Sequence, residues 1–111
     1  MNTDAPARLR RDPLLAEIKS RLGSLYGDRL KRVVLFGSRA RGDHKKDSDY
    51  DVAVYLSGYD YTMGEVFRLA DLSWELQVET GRITSFKPFP SGSGVRDSLL
   101  SREIAKDGVP L

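Results

Sequence analysis

Cysteine is absent from the 111 residues and histidine occurs once. Without a thiol there is no disulfide and no thiolate metal site, and one imidazole is too few for zinc. No apolar run approaches the ~20 residues of a membrane span, and the polar amino terminus is not that of a signal peptide. A strong charge of one sign is missing too. The 18 basic and 16 acidic side chains leave +2 at pH 7, too little to indicate a nucleic-acid surface by itself. No repeat or low-complexity tract is visible. The 40% hydrophobic and 31% charged content leads to the expectation of a single soluble domain in the cytoplasm.

The informative stretch runs from Val33 to Leu56, VVLFGSRARGDHKKDSDYDVAVYL. Val33 to Phe36 is a short run of β-branched and aromatic residues, as in a buried strand. Gly37 to Lys46 is a polar connection with two glycines and four basic residues. From Asp49 the pattern alternates, with Tyr50, Val52, Val54 and Leu56 on one parity and Asp49, Asp51, Ala53 and Tyr55 on the other. Alternation along a strand puts Asp49 and Asp51 on one face, roughly 7 Å apart. Two carboxylates so placed repel each other unless a cation lies between them, and a divalent metal holding a phosphate satisfies both. Gly37 allows a sharp turn and close approach of a ligand to the backbone. If Ser38 to Arg41 begin a helical turn, their N–H groups and the Ser38 hydroxyl offer an anion site. A phosphate cradle beside a carboxylate pair is equipment for nucleotidyl transfer.

Around this stretch the pattern predicts a small sheet flanked by helices, an α/β (α+β) arrangement. Residues 1–11 are polar and expected to be loose, with the domain proper spanning 12–111. Asp12-Pro13 reads as a helix start and Gly27 as its stop, with Leu14, Leu15, Ile18, Leu22 and Leu25 on one arc. A longer helix is predicted from Thr62 to Glu79. Its apolar positions cover about 240° of the wheel, against the roughly 100° that packing on one sheet requires. Met63, Val66, Phe67, Ala70, Trp74 and Val78 form one side, with Trp74 expected in the core. Leu69, Leu72 and Leu76 form the other, the stripe expected to be covered by a second protein chain. Arg82 to Phe86 reads as a third strand, parallel to the second through a right-handed crossover, whereas the first two strands are expected to be antiparallel. Pro88 to Gly94 reads as a loop. A last helix from Val95 to Lys106 would turn Val95, Leu99, Leu100 and Ile104 inward.

Gly37-Ser38-Arg39-Ala40-Arg41-Gly42 followed by Ser48-Asp49-Tyr50-Asp51 resembles the signature of the nucleotidyltransferase superfamily typified by DNA polymerase β. Within it the sequence is most similar to the minimal nucleotidyltransferases of bacteria and archaea, which are single small domains. The likeness extends more weakly from about Leu14 to the closing residues. It implies that Asp49 and Asp51 are catalytic and hold Mg2+, and that Gly37 and Ser38 hold the triphosphate of ATP or another nucleoside triphosphate. Arg39 and Arg41 fall beside that triphosphate, where a planar guanidinium suits phosphate, and Ser48 orients Asp49.

Relatives of this kind commonly act as antitoxins beside a helical HEPN-domain ribonuclease toxin and transfer AMP from ATP to a hydroxyl of that partner. The helix 62–79 would then meet such a partner or a second copy of the chain, with no membrane and no nucleic acid as direct substrate. The family pattern also has a third carboxylate on the strand after the long helix, acting as general base. Arg82 to Phe86 contains none, Glu79 belongs to the helix end, and Asp97 lies past the loop. This gap keeps open a different class of function, a weak or inactive nucleotide-binding module that silences its partner by occlusion. Transfer to a small molecule is a third option, disfavoured because no second domain is present to bind one.

Overall fold

The computed structural model describes residues 6–92 and 97–111. In order, α1 (Ala7–Arg10), α2 (Pro13–Tyr26), β1 (Leu30–Phe36), α3 (Ser38–Arg41), β2 (Tyr50–Leu56), α4 (Met63–Thr80), β3 (Thr84–Pro90), α5 (Leu99–Asp107) and β4 (Val109–Pro110) build one mixed α/β unit. The sheet order is β3-β2-β1-β4. β1 and β2 form an antiparallel hairpin around the motif connection, and α4 carries the chain from β2 to a parallel β3. Among the described residues no helix is long and apolar enough to cross a membrane.

Local chemistry explains the helix boundaries. The Asp12 carboxylate accepts the Leu14 N–H at 2.9 Å, satisfying an orphan donor of α2, and Pro13 occupies the first position, where no N–H is needed. Gly81 ends α4 in the left-handed conformation at φ 74°, which other residues adopt only at a cost.

The two sheet faces are covered unequally. Val33, Leu35, Tyr50, Val52, Val54, Leu56 and Phe86 pack against leucines and Ile18 of α1, α2 and α4. Each such side chain removed from water contributes about 1.5–3 kcal/mol, so this layer dominates stability. On the opposite face, among the described residues, Val34, Phe36, Ala53, Tyr55 and Phe89 meet α5 through Ile104 and Leu100. Asp51 belongs to this thinly covered face.

Several elements differ from the sequence pattern. The segment expected to be loose contains α1, because Leu9 joins the core. β3 runs on through Pro88, Phe89 and Pro90, where a loop was expected. It is the last strand on its side, so prolines are tolerated, and Phe89 stacks on Tyr55 at 5.3 Å. α5 begins at Leu99, whose side chain is 83% exposed rather than inward. Val95 lies outside the described residues. Leu25 is at the rim of its helix rather than in the core.

The largest correction concerns α4. Leu69, Leu72 and Leu76 are the core stripe, whereas Met63, Phe67, Trp74 and Val78 are exposed. At 100° per residue those four fall within about 60° of arc, nearly opposite the leucines. The compact branched leucines fill the space above β2 and β3, so the unpartnered stripe is the aromatic one.

Candidate nucleotidyl-transfer site

The hairpin turn brings the glycine-serine pair and the Asp51 carboxylate together. Gly37 has φ 74°, and a Cβ there would stand 2.5 Å from Asp51 Oδ2. Only glycine leaves room for that carboxylate against the backbone. The carbonyl of Gly37 accepts the N–H groups of Ala40 and Arg41, both at 3.1 Å. The ladder of this single turn therefore begins at Ala40, leaving the N–H groups of Ser38 and Arg39 outside it. Arg8 closes the other end, donating to the carbonyls of Arg39 at 2.7 Å and Ala40 at 3.0 Å. Nothing in the sequence pattern marked Arg8 for this task, since it acts across 31 residues of chain.

Asp49 is exposed just before β2, and Asp51 is half-buried within it. Asp51 is paired with Phe36 on β1 and with Ser85 on β3. Register partners share a face, so Ser85 lies level with Asp51, and Lys87 lies level with Ala53. Thr84 turns the other way, buried with its hydroxyl 3.0 Å from that of Ser73. Of the adjacent Thr84 and Ser85, Ser85 is thus the one on the face of Asp51. Glu79 is engaged by Arg21 of α2 at 2.6 Å and Asp97 by Arg102 at 2.8 Å.

Electrostatics set Asp51 apart. Burial pushes its carboxyl above the ordinary value, Asp49 and Glu103 reinforce the rise, and Lys87 and Arg41 offset part of it. Glu103 and Lys87 were not singled out in the sequence. The i, i+4 spacing of Glu103 and Asp107 around the inward Ile104 is the signal that could have found the former. Both acids approach Arg41 at 3.6 Å, and Asp43 pairs with it at 3.1 Å. Arg41 therefore lies on the Asp51 side, at the junction of α3 and α5. Arg39 goes elsewhere: it is buried and donates to the carbonyls of Lys45, Lys46 and Ser48. Ser48 accepts the Lys45 N–H on its hydroxyl at 2.8 Å, closing the loop just before Asp49.

These residues suit a divalent cation that arrives with its ligand. Two neighbouring carboxylates, one raised first by burial and then by the negative charge beside it, favour a cation. Among the described residues no cluster of three or more acidic, histidine or cysteine side chains forms a dedicated metal cage. Mg2+ is commonly bound through one or two carboxylates plus phosphate oxygens and water, which matches this donor set.

The β1–β2 hairpin, with the Asp51 carboxylate against its glycine-serine turn and a parallel third strand alongside, is the frame of the candidate site. The chain belongs to the nucleotidyltransferase domain family, which it matches over residues 15–105. It is 44% identical over 43 residues to the putative protein adenylyltransferase MJ0141 of Methanocaldococcus jannaschii, covering 39% of this chain and 43% of that protein. The putative protein adenylyltransferase MJ0604 of the same organism is 42% identical over 40 residues, covering 36% of this chain and 40% of the relative. These matches thus span less than half the length of the two relatives. Among solved structures, the fold is similar to a chain of a toxin–antitoxin complex with AMP-PNP, with TM-score 0.62, 19% identity, and coverage of 85% of this chain and 69% of that one. A chain from the MntA–HpeT toxin–antitoxin pair superposes with TM-score 0.60 at 18% identity, covering 86% and 70% respectively.

The raised Asp51 carboxyl carries a stability prediction. Because its folded-state pKa lies above the unfolded value, ionisation costs the fold stability at pH values above the folded pKa, and the cost disappears below the unfolded pKa. Asp51→Asn is therefore expected to melt at a higher temperature than wild type at neutral pH, with the difference closing toward about pH 3. Thermal melts of both proteins across that range check this. A variant less stable at neutral pH would mean that the carboxylate makes a contact the fold needs.

Proposed function

We propose that the chain is an Mg2+-dependent adenylyltransferase that transfers AMP from ATP to a hydroxyl of a protein partner, as the antitoxin of a pair whose toxin is a helical HEPN-type protein. The observation carrying this reading is the Asp51 carboxylate lying against Gly37, so that an acidic side chain and the glycine-serine turn adjoin. The relatives described as putative protein adenylyltransferases and the fold shared with toxin–antitoxin chains support it. A reaction fed by ATP also agrees with a cytoplasmic location.

In this reading Asp49 and Asp51 hold Mg2+, while Gly37 and Ser38 receive the triphosphate on backbone N–H groups and the serine hydroxyl. Arg41 lies at the rim, where its guanidinium can exchange Glu103 and Asp107 for phosphate oxygens. Ser48 keeps the loop before Asp49 closed. The bound metal supplies charge neutralisation at the phosphates. The acceptor oxygen attacks the α-phosphorus, the bond to the β-phosphate oxygen breaks, pyrophosphate leaves, and the hydroxyl proton must pass to a base. β3 offers Ser85 and Lys87 on that face, with no carboxylate. That specific absence favours a second reading, in which the site binds nucleotide weakly or without turnover and the chain neutralises its partner by occlusion.

Incubation with ATP labelled at the α-phosphate, with and without a HEPN-type partner, separates the two readings. Label on the partner and release of pyrophosphate are expected. A general base contributes about 10²–10⁴-fold, so Ser85→Asp, which places a carboxylate level with Asp51, should raise the rate. No label from either wild type or Ser85→Asp, with the partner still bound, would favour occlusion. Transfer unchanged by the substitution would mean that another group already takes the proton.

A further inference from the structure

Arg39 sits inside the Gly-Ser-Arg-Ala-Arg-Gly turn, yet its side chain runs to the face opposite Asp51. Alternation along β2 puts Tyr50 on that opposite face, and the Arg39 guanidinium carbon lies 4.2 Å from the centre of the Tyr50 ring. The side chain is 6% exposed. Its Nε donates to the Ser48 carbonyl at 3.1 Å, and Nη2 donates to those of Lys46 at 3.1 Å and Lys45 at 3.4 Å. Tyr50 is itself fixed. Its hydroxyl donates to Asp12 at 2.7 Å and accepts from Arg82 at 3.1 Å. A continuous chain of contacts thus runs from the cap of α2 through Tyr50 and Arg39 to the loop that delivers Asp49.

We propose that Arg39 is a positioning residue: its buried guanidinium, braced on Tyr50, fixes the carbonyls of Lys45, Lys46 and Ser48 and thereby sets where Asp49 presents its carboxylate. This deepens the functional reading above, on which the link to metal rests. The loop has no regular secondary structure, so three convergent carbonyls need a donor with several N–H groups in fixed directions. A guanidinium supplies them in one plane and stacks on the ring at the same time, whereas an ammonium is a point charge without a plane. Without Arg39 the exposed loop can turn its carbonyls to water, so the expected loss is local order rather than the core. The two arginines of the motif divide their tasks, with Arg41 on the Asp51 side and Arg39 behind the strand.

Arg39→Lys keeps the charge and removes the fork. In this variant the Lys45 and Ser48 amides, which close the loop through Ser48 Oγ and the Lys45 carbonyl, are expected to exchange with solvent about tenfold faster. Exchange in the β1–β2 hairpin should be unchanged. Affinity for Mn2+, used as the metal probe, should fall about 10–100-fold, as when a partner that orients a metal ligand is lost. Wild-type protein gives a test that needs no substitution: on adding Mg2+·ATP, the Arg39 Nε–H resonance should stay in place while that of Arg41 moves. Loop amides that keep wild-type exchange in Arg39→Lys, or a nucleotide-dependent shift of the Arg39 resonance comparable to that of Arg41, would overturn the proposal. Should wild type bind no Mg2+·ATP, the functional reading falls, and the amide exchange still decides the role of Arg39.

Discussion

Replacing Asp49 and Asp51 together by asparagine is expected to abolish binding of Mg2+·ATP. Asparagine keeps the volume and removes both negative charges, so a hard cation would lose the two anionic ligands proposed for it. Loss of a mere supporting partner costs about 10–100-fold in metal affinity, and loss of both ligands should exceed that. The fold should survive, because the ionised Asp51 carboxylate is a burden on it rather than a support. Calorimetric titration of wild type and double variant with Mg2+·ATP measures the difference. Equal affinity in the two would remove the metal assignment, and no binding by wild type would leave a vestigial pocket.

The second large effect belongs to α4, where two substitutions should behave oppositely. Leu72 is 5% exposed in the leucine stripe. Leu72→Glu puts a charged group into the leucine layer, at a cost of several kcal/mol, comparable with the ~5–15 kcal/mol that holds a whole domain together. The isolated chain should unfold. Trp74 is 66% exposed on the opposite stripe, so Trp74→Glu should change the isolated chain by no more than about 0.5 kcal/mol. It should instead break assembly with a HEPN-type partner or a second copy. Circular dichroism with size-exclusion chromatography, run alone and with the partner, distinguishes these results. A folded Leu72→Glu chain would contradict the buried stripe, and a Trp74→Glu chain that still assembles would place the partner elsewhere.

The contrast within α4 shows where sequence reasoning stops. The helical wheel reveals two apolar stripes, but it contains nothing about which one meets the sheet. That choice is made by shape, because leucines interdigitate above β2 and β3 where Trp74 and Phe67 would overfill the space. The hairpin was legible for the opposite reason. Strand alternation has only two outcomes, and the core side of β2 was already taken by Tyr50, Val52, Val54 and Leu56, so Asp51 had one place to point. Asp12-Pro13 and Gly27 marked the ends of α2 because capping is local chemistry. The position of Arg39 in the motif suggested phosphate, whereas the partners it has in the structure are loop carbonyls and a ring that only the folded hairpin assembles. β4 escaped notice because two residues carry no period, and its pairing with Val34 and Leu35 of β1 is set from across the sheet.

The prolines of β3 have a consequence for how the molecule behaves at high concentration. The carbonyl of Ile83 accepts the N–H of Tyr50, and that of Leu56 accepts the N–H of Ser91. Odd-numbered residues of β3 thus turn their backbone groups toward β2, leaving Thr84, Phe86, Pro88 and Pro90 to turn theirs outward. Two of those four have no N–H to offer, and the Thr84 carbonyl already accepts the Ser73 hydroxyl. A foreign strand laid alongside would find few donors over its far half, so the free margin of this sheet is a poor template for fibril growth or strand exchange.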